Sequence, residues 1–261
     1  MKNFFKIGQT MYLLAIAELA VYNFFKADFA MTRPIPLTGI LQSINPAMAY
    51  FSATLLLLSV LAFFMNRYRL IDLSVIIVLI FLFATTRHVY NLWRDSINGF
   101  KTLWLIGGAF LIMTTLPQMN KYKREVLWAN LVVLSIFFLD CGFAHFQYAG
   151  FVKELILPFI PYRLFWAYFA GVCLLAAGIG LLIPPVQRLA ALLAGIMIAC
   201  WFLVLHVPRA LTLHGDEWIG VGESLAISGI CFMIYSMLKE RQGIAANRIG
   251  HRAFNMTTGN E

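Results

Sequence analysis

Charge is what this sequence has least of. Charged residues make up only 12% of the 261-residue chain, and Asp plus Glu account for 12 positions. A soluble domain of this length needs far more polar surface than that, so a water-soluble globule is excluded. Cysteine is sparse too. Cys141, Cys173, Cys200 and Cys231 fall inside apolar runs and form no C-x-x-C pair, which excludes a disulfide scaffold and reads as hydrophobic packing. No H-E-x-x-H or H-x-x-x-H spacing occurs, so no metal site is expected, although His145 and His206 are the two imidazoles to weigh for one. Haem, flavin and iron–sulfur motifs are also missing, so no covalently held cofactor is implied.

What is present is hydrophobic: 61% of residues, with a mean hydropathy of +0.79. A span needs about 20 apolar residues at about 1.5 Å each. Runs that meet this are expected at residues 8–25, 46–65, 71–93, 102–117, 126–145, 164–183, 189–207 and 218–238, with ends marked by Pro46, Pro117, Pro184-Pro185 and Pro208. The first run follows Lys2 and Lys6 as a signal peptide would. Glu18 interrupts it and no small-x-small cleavage site follows, so it is read as a retained helix. The expected fold is all-α: a polytopic membrane protein of about eight transmembrane helices, arranged as two parallel four-helix repeats.

The repeat shows as similarity at an offset of roughly 120 residues. Each half carries an acid in its first helix (Glu18, Asp140) and then a loop with two prolines (Pro34, Pro36; Pro158, Pro161). Tyr50-Phe51-Ser52-Ala53 in one second helix answers Tyr168-Phe169-Ala170-Gly171 in the other, and the third helices end in Arg87-His88 and His206-Val207-Pro208-Arg209. The reading divides the chain into a first repeat at 1–125, a second at 126–238 and a flexible cytoplasmic tail at 239–261.

The formal charge of +8 sits in short clusters between apolar runs rather than on one soluble face, so nucleic acid is not an expected partner and the lipid bilayer is. Twelve Lys and Arg fall on the side of the N-terminus and eight on the other, which puts both termini in the cytoplasm of a cell with an inner membrane. The opposite side holds the longer loops and nearly all the histidines, and is taken as the working face.

An ionisable group in mid-membrane costs about 2.5–3.5 kcal/mol on insertion scales, so such groups mark function. Here they are Glu18, Asp140 and Glu223, at comparable depth, with His145, His206 and His214 nearby and Arg209 three residues beyond His206. His206, Glu223 and Asp140 are the candidates for proton exchange with a lipophilic partner; His145, Arg209, Trp166 and Glu18 are candidate ligand contacts. Arg87, Asn91 and Arg94 form one polar stripe in the first half, and His88, Asn91 and Asp95 another. The plain alternative is that these groups pair with one another and hold the bundle together. Ala191, Gly195 and Ala199 give the seventh helix a small-residue face for close approach.

Residues 130–238 resemble the DoxX-like family of small four-helix membrane proteins. The resemblance is carried by Phe143-Ala144-His145-Phe146, Leu157-Pro158-Phe159-Ile160-Pro161, Phe165-Trp166-Ala167-Tyr168-Phe169-Ala170-Gly171, Ala176-Ala177-Gly178-Ile179-Gly180 and Leu205-His206-Val207-Pro208-Arg209. The first half looks like a degenerate copy without a counterpart of His145. The resemblance implies a helical bundle in a bacterial cytoplasmic membrane, linked to quinol oxidation or thiol and sulfur redox systems, with quinone as the lipophilic partner and a separate redox protein as electron donor. Transport of a lipophilic small molecule, or a non-catalytic role in membrane assembly, are the competing expectations; no motif decides whether the chain is an enzyme.

Overall fold

In a computed structural model, residues 2–33, 35–88 and 95–258 are described, Lys2 and residues 242–258 by their backbone alone. The described residues form helices and turns without a strand: α1 Lys2–Lys26, α2 Ile40–Phe64, α3 Arg69–Arg87, α4 Ser96–Met113, α5 Lys123–Gln147, α6 Ala149–Leu155, α7 Arg163–Leu182, α8 Gln187–Trp201, α9 Val207–Leu213 and α10 Glu217–Thr258. Eight helical stretches among them are long and apolar enough to cross a membrane, as the hydropathy pattern predicts.

Each long helix packs on its neighbours in chain order, and α10 closes the ring by lying along α1. Close approach is set by small residues. A Cβ at Gly229 would sit 2.5 Å from Gly8 O and 3.0 Å from Tyr12 N, so α1 and α10 touch backbone to backbone there. Side-chain hydroxyls and amides join other pairs: Tyr12 donates to Leu105 O at 2.6 Å, Ser135 to Gly178 O at 2.7 Å, Ser228 to Gly195 O at 2.8 Å and Asn130 Nδ2 to Gly107 O at 3.3 Å. Between oily helices, small residues and such hydrogen bonds supply the specific attraction that apolar side chains alone do not. Ala191 and Gly195 of the expected small-residue face are buried, and a Cβ at Gly195 would meet Phe232 Cε1 at 2.8 Å. α10 is the most enclosed helix, with Ala226, Ile230, Met233 and Ile234 fully buried.

Two expected breaks are absent. Pro46 lies inside α2, which starts at Ile40. Pro46 is beyond the first turn, so its missing N–H leaves the Gln42 carbonyl without its intrahelical donor, and the flanking intrahelical bonds carry the helix past it. Pro208 likewise does not end the seventh apolar stretch: a π turn at Phe202–His206 links α8 directly to α9. The wider turn relieves the clash between the proline ring and the preceding carbonyl, so the chain stays helical from Gln187 to Leu213. At the other end of the chain, α10 runs past the apolar run that finishes near residue 238 and continues to Thr258 through good helix formers such as Ala245 and Ala246. The short helix α6 has no counterpart in the sequence reading. Pro34, and the polar-stripe residues Asn91 and Arg94, lie outside the described residues.

Candidate functional site

The last residues of α1, α3, α5 and α9 lie at one end of the bundle, and the polar side chains expected to matter lie at or just below that end. Glu223, two turns into α10, accepts from Lys101 Nζ of α4 at 2.7 Å, with side chains only 12% and 15% exposed. Glu18 reaches the same place from α1: a Cβ on Gly222 would collide with its Oε2. Oε2 of Glu18 and Oε1 of Glu223 are buried and take no hydrogen bond. The structure therefore brings Glu18 and Glu223 together, as their depth in the sequence predicts.

His206, in the π turn, packs on the same helix, where a Cβ at Gly220 would lie 3.0 Å from its Nδ1. Arg209 is spent within the protein. Its Nε and Nη2 donate to the Glu217 carboxylate at 2.7 and 2.9 Å, and its Nη1 donates to Leu155 O at 2.8 Å. The bidentate pair fixes the α9–α10 turn, and the bond to Leu155 ties it to the last residue of α6. Arg87 does the same work in the first half. It donates to Ile35 O at 2.8 Å, to Asn45 Oδ1 at 3.1 Å and to Asp28. Asn45 in turn donates to Asp28 at 2.7 Å, and Thr32 and His88 share a hydrogen bond at 3.1 Å. The first-half cluster is thus a clamp on the α1–α2 loop, in keeping with the plain alternative.

Asp140 and His145 lie on α5. Asp140 Oδ2 accepts from Ser96 Oγ at 2.6 Å. His145 Nδ1 is 2.7 Å from Cys141 O. A carbonyl only accepts, so Nδ1 carries the proton and the Nε2 lone pair points elsewhere. The ring stem of His145 faces Gly171 of α7, since a Cβ there would lie 2.9 Å away.

Trp166 belongs to a different feature. It lines a groove of about 720 Å³ between α7 and α8, with Phe169, Cys173, Ala176, Ala190, Cys200 and Trp201 among the walls and no charged side chain or histidine. Its indole meets that of Trp201 edge to face at 6.0 Å. At 100° per residue, Gly171 is about 140° around α7 from Trp166, so His145 and the groove occupy opposite faces of that helix. The candidate residues accordingly fall into two places: a charged cluster under the loops and an apolar groove on the flank.

Lys101 is the residue that sequence reasoning missed. It stands inside α4, whereas the apolar run counted from residue 102 left it in a loop. An ammonium flanked by Ile97, Phe100 and Trp104 was the available signal. Trp201 and Ala176 carried no signal, because an apolar residue lining a groove and one facing lipid look alike in a sequence.

A family model described as a domain of unknown function, DUF8561, matches residues 134–227. That stretch contains Asp140, His145, Trp166, His206, Arg209 and Glu223 but neither Glu18 nor Lys101. No curated protein and no solved structure matches the chain.

Proposed function

We propose that this chain is an integral membrane protein of eight spans, built as two parallel four-helix repeats, which binds a quinone or similar lipophilic molecule as the membrane subunit of a redox system. The membrane reading rests on the eight apolar helices and on outward faces as oily as the interior, including Leu61, Val78, Phe81, Ile179 and Leu193. The excess of Lys and Arg at the N-terminal side favours cytoplasmic termini.

Support for the repeat comes from polar positions, and one helix contact, that match at an offset of 122 residues. Glu18 corresponds to Asp140, Lys101 to Glu223 and Arg87 to Arg209. The Gly8 contact with Gly229 corresponds to the Asn130 contact with Gly107. α1 on α10 and α5 on α4 are the pairs that a two-fold axis along the bundle would exchange.

The observation that carries the ligand reading is the α7–α8 groove. Its volume of about 720 Å³ lies within the roughly 300–1,000 Å³ common for small-molecule sites. Its lining is without charge, and Trp166 and Trp201 provide indole faces against which a flat ring stacks. The DoxX-like resemblance favours a quinone among flat apolar rings. Electrons would come from a partner protein, since the chain carries no redox motif of its own.

The test uses a short-chain alkyl benzoquinone with purified protein, read by quenching of tryptophan fluorescence. Ala176 is exposed at the groove wall, so Ala176→Phe fills the space without disturbing the core. Saturable quenching weakened at least about tenfold by Ala176→Phe is expected, a loss of about 1.4 kcal/mol. Equal quenching in both proteins discards the groove as the site.

A further inference from the structure

The charges enclosed where α1, α4 and α10 meet do not balance. Lys101 brings one ammonium, while Glu18 and Glu223 bring two carboxyl groups. One oxygen of Glu223 takes the Lys101 Nζ at 2.7 Å. The other, together with Oε2 of Glu18, is buried with no donor in reach. Glu18 Oε2 is pressed against the α10 backbone at Gly222, one residue before Glu223, and the two carboxyls lie within electrostatic range of each other.

The surrounding elements leave this imbalance in place. From α5, Asp140 is engaged by Ser96, and the Cys141 thiol is within electrostatic range of Lys101 and Glu223. From the π turn, the His206 ring rests on Gly220, and from α9 Arg209 is committed to Glu217. None of them donates to the two orphan oxygens.

We propose that Glu18, Glu223 and Lys101 form a proton-binding site between the first and last helices. The carboxyl pair takes up one proton from water at the loop end, which turns one acceptor oxygen into an O–H donor. Lys101 then neutralises the remaining carboxylate. No electron moves and no bond other than the O–H forms. The ligand is a proton rather than a metal ion on two grounds: the Lys101 ammonium already holds the cation's place beside Glu223, and among the described residues no three His, Cys, Asp or Glu side chains converge to hold a metal. This site stands on the buried oxygens alone and does not depend on the quinone reading.

Infrared spectroscopy of the full chain in lipid nanodiscs tests it, because a protonated carboxyl has a carbonyl band that a carboxylate lacks and that shifts in D₂O. The wild-type protein at neutral pH is expected to show that band, Glu18→Gln or Glu223→Gln to lose it, and Asp140→Asn to keep it. Replacing choline chloride by sodium chloride at constant pH should leave it unchanged. A wild-type spectrum without the band overturns the proposal, as does a band that survives both glutamate substitutions. Loss of the band on adding sodium also overturns it, by making the site one for a metal cation.

Discussion

His88 shows how a single residue beyond the end of an apolar helix ties loop order to pH. It stands just beyond α3, buried, with its Nε2 sharing a hydrogen bond with Thr32 and its ring edge-on to Phe83 at 5.2 Å. Burial lowers its pKa below the ordinary 6.5; Asp95 opposes that shift, and Arg87 and Lys101 add to it. The unfolded chain therefore takes up a proton at a higher pH than the folded one. The stabilisation from neutral His88 is complete above 6.5 and is lost as pH falls through the depressed folded-state value. Thermal unfolding in detergent should show a falling midpoint for the wild type below pH 6.5 and a flatter curve for His88→Gln. Parallel curves would remove His88 from that role. Glu18, Asp140, Glu223, the histidines, Arg87 and Arg209 were legible as polar groups in or beside apolar runs. The partners of the two arginines were not: Asp28 and Glu217 lie among ordinary polar residues between the runs, and the carbonyls of Ile35 and Leu155 leave no mark in a sequence.

At the scale of the helix, periodicity and length predicted the eight long apolar helices. The runs at 126–145 and 164–183 match α5 and α7 closely, whereas α1 starts at Lys2 rather than 8, α4 at Ser96 rather than 102, and α10 continues past 238 to Thr258. Pro46 and Pro208 fail as stops: one removes a single bond, to the Gln42 carbonyl, from a helix that continues on both sides, and the other is absorbed by a π turn. The contact between α8 and α10 yields a sharper expectation. Gly195 faces the Phe232 ring, with Cys231 Cβ 3.1 Å from where its own Cβ would stand, and its carbonyl accepts from Ser228. Gly195→Leu forces the helices apart and should lower stability by about 1–3 kcal/mol, as overpacking does elsewhere. Ala176→Leu, on the groove side, should change unfolding in detergent far less; equal losses would mean that α8 is not seated through Gly195.

For the molecule as a whole, the Lys101–Glu223 pair joins α4 of the proposed first repeat to α10 of the second. Truncating one partner of a buried pair leaves the other charge without compensation, so Lys101→Met should cost about 3–5 kcal/mol. The exchange Lys101→Glu with Glu223→Lys should recover most of what either single reversal loses, because the corresponding positions lie on helices that the proposed two-fold axis interchanges. A double-reversal protein no more stable in detergent than the single ones would show that the pair does not hold the halves together.

Composition and periodicity by themselves determined that this chain is helical and oily and has eight stretches long and apolar enough to cross a membrane, because hydropathy and helix length are local quantities summed along a run. The same local reading located Glu18 and Glu223 as buried acids at one depth. Tertiary structure alone decided that Lys101 meets Glu223 and that Arg209 is consumed by Glu217. It also decided that Trp166 borders a cavity facing away from His145. Those outcomes depend on the rotation of each helix about its axis and on which helices meet, over separations from eight positions for Arg209 and Glu217 to 122 for Lys101 and Glu223, and neither leaves a trace in the order of residues along a single helix.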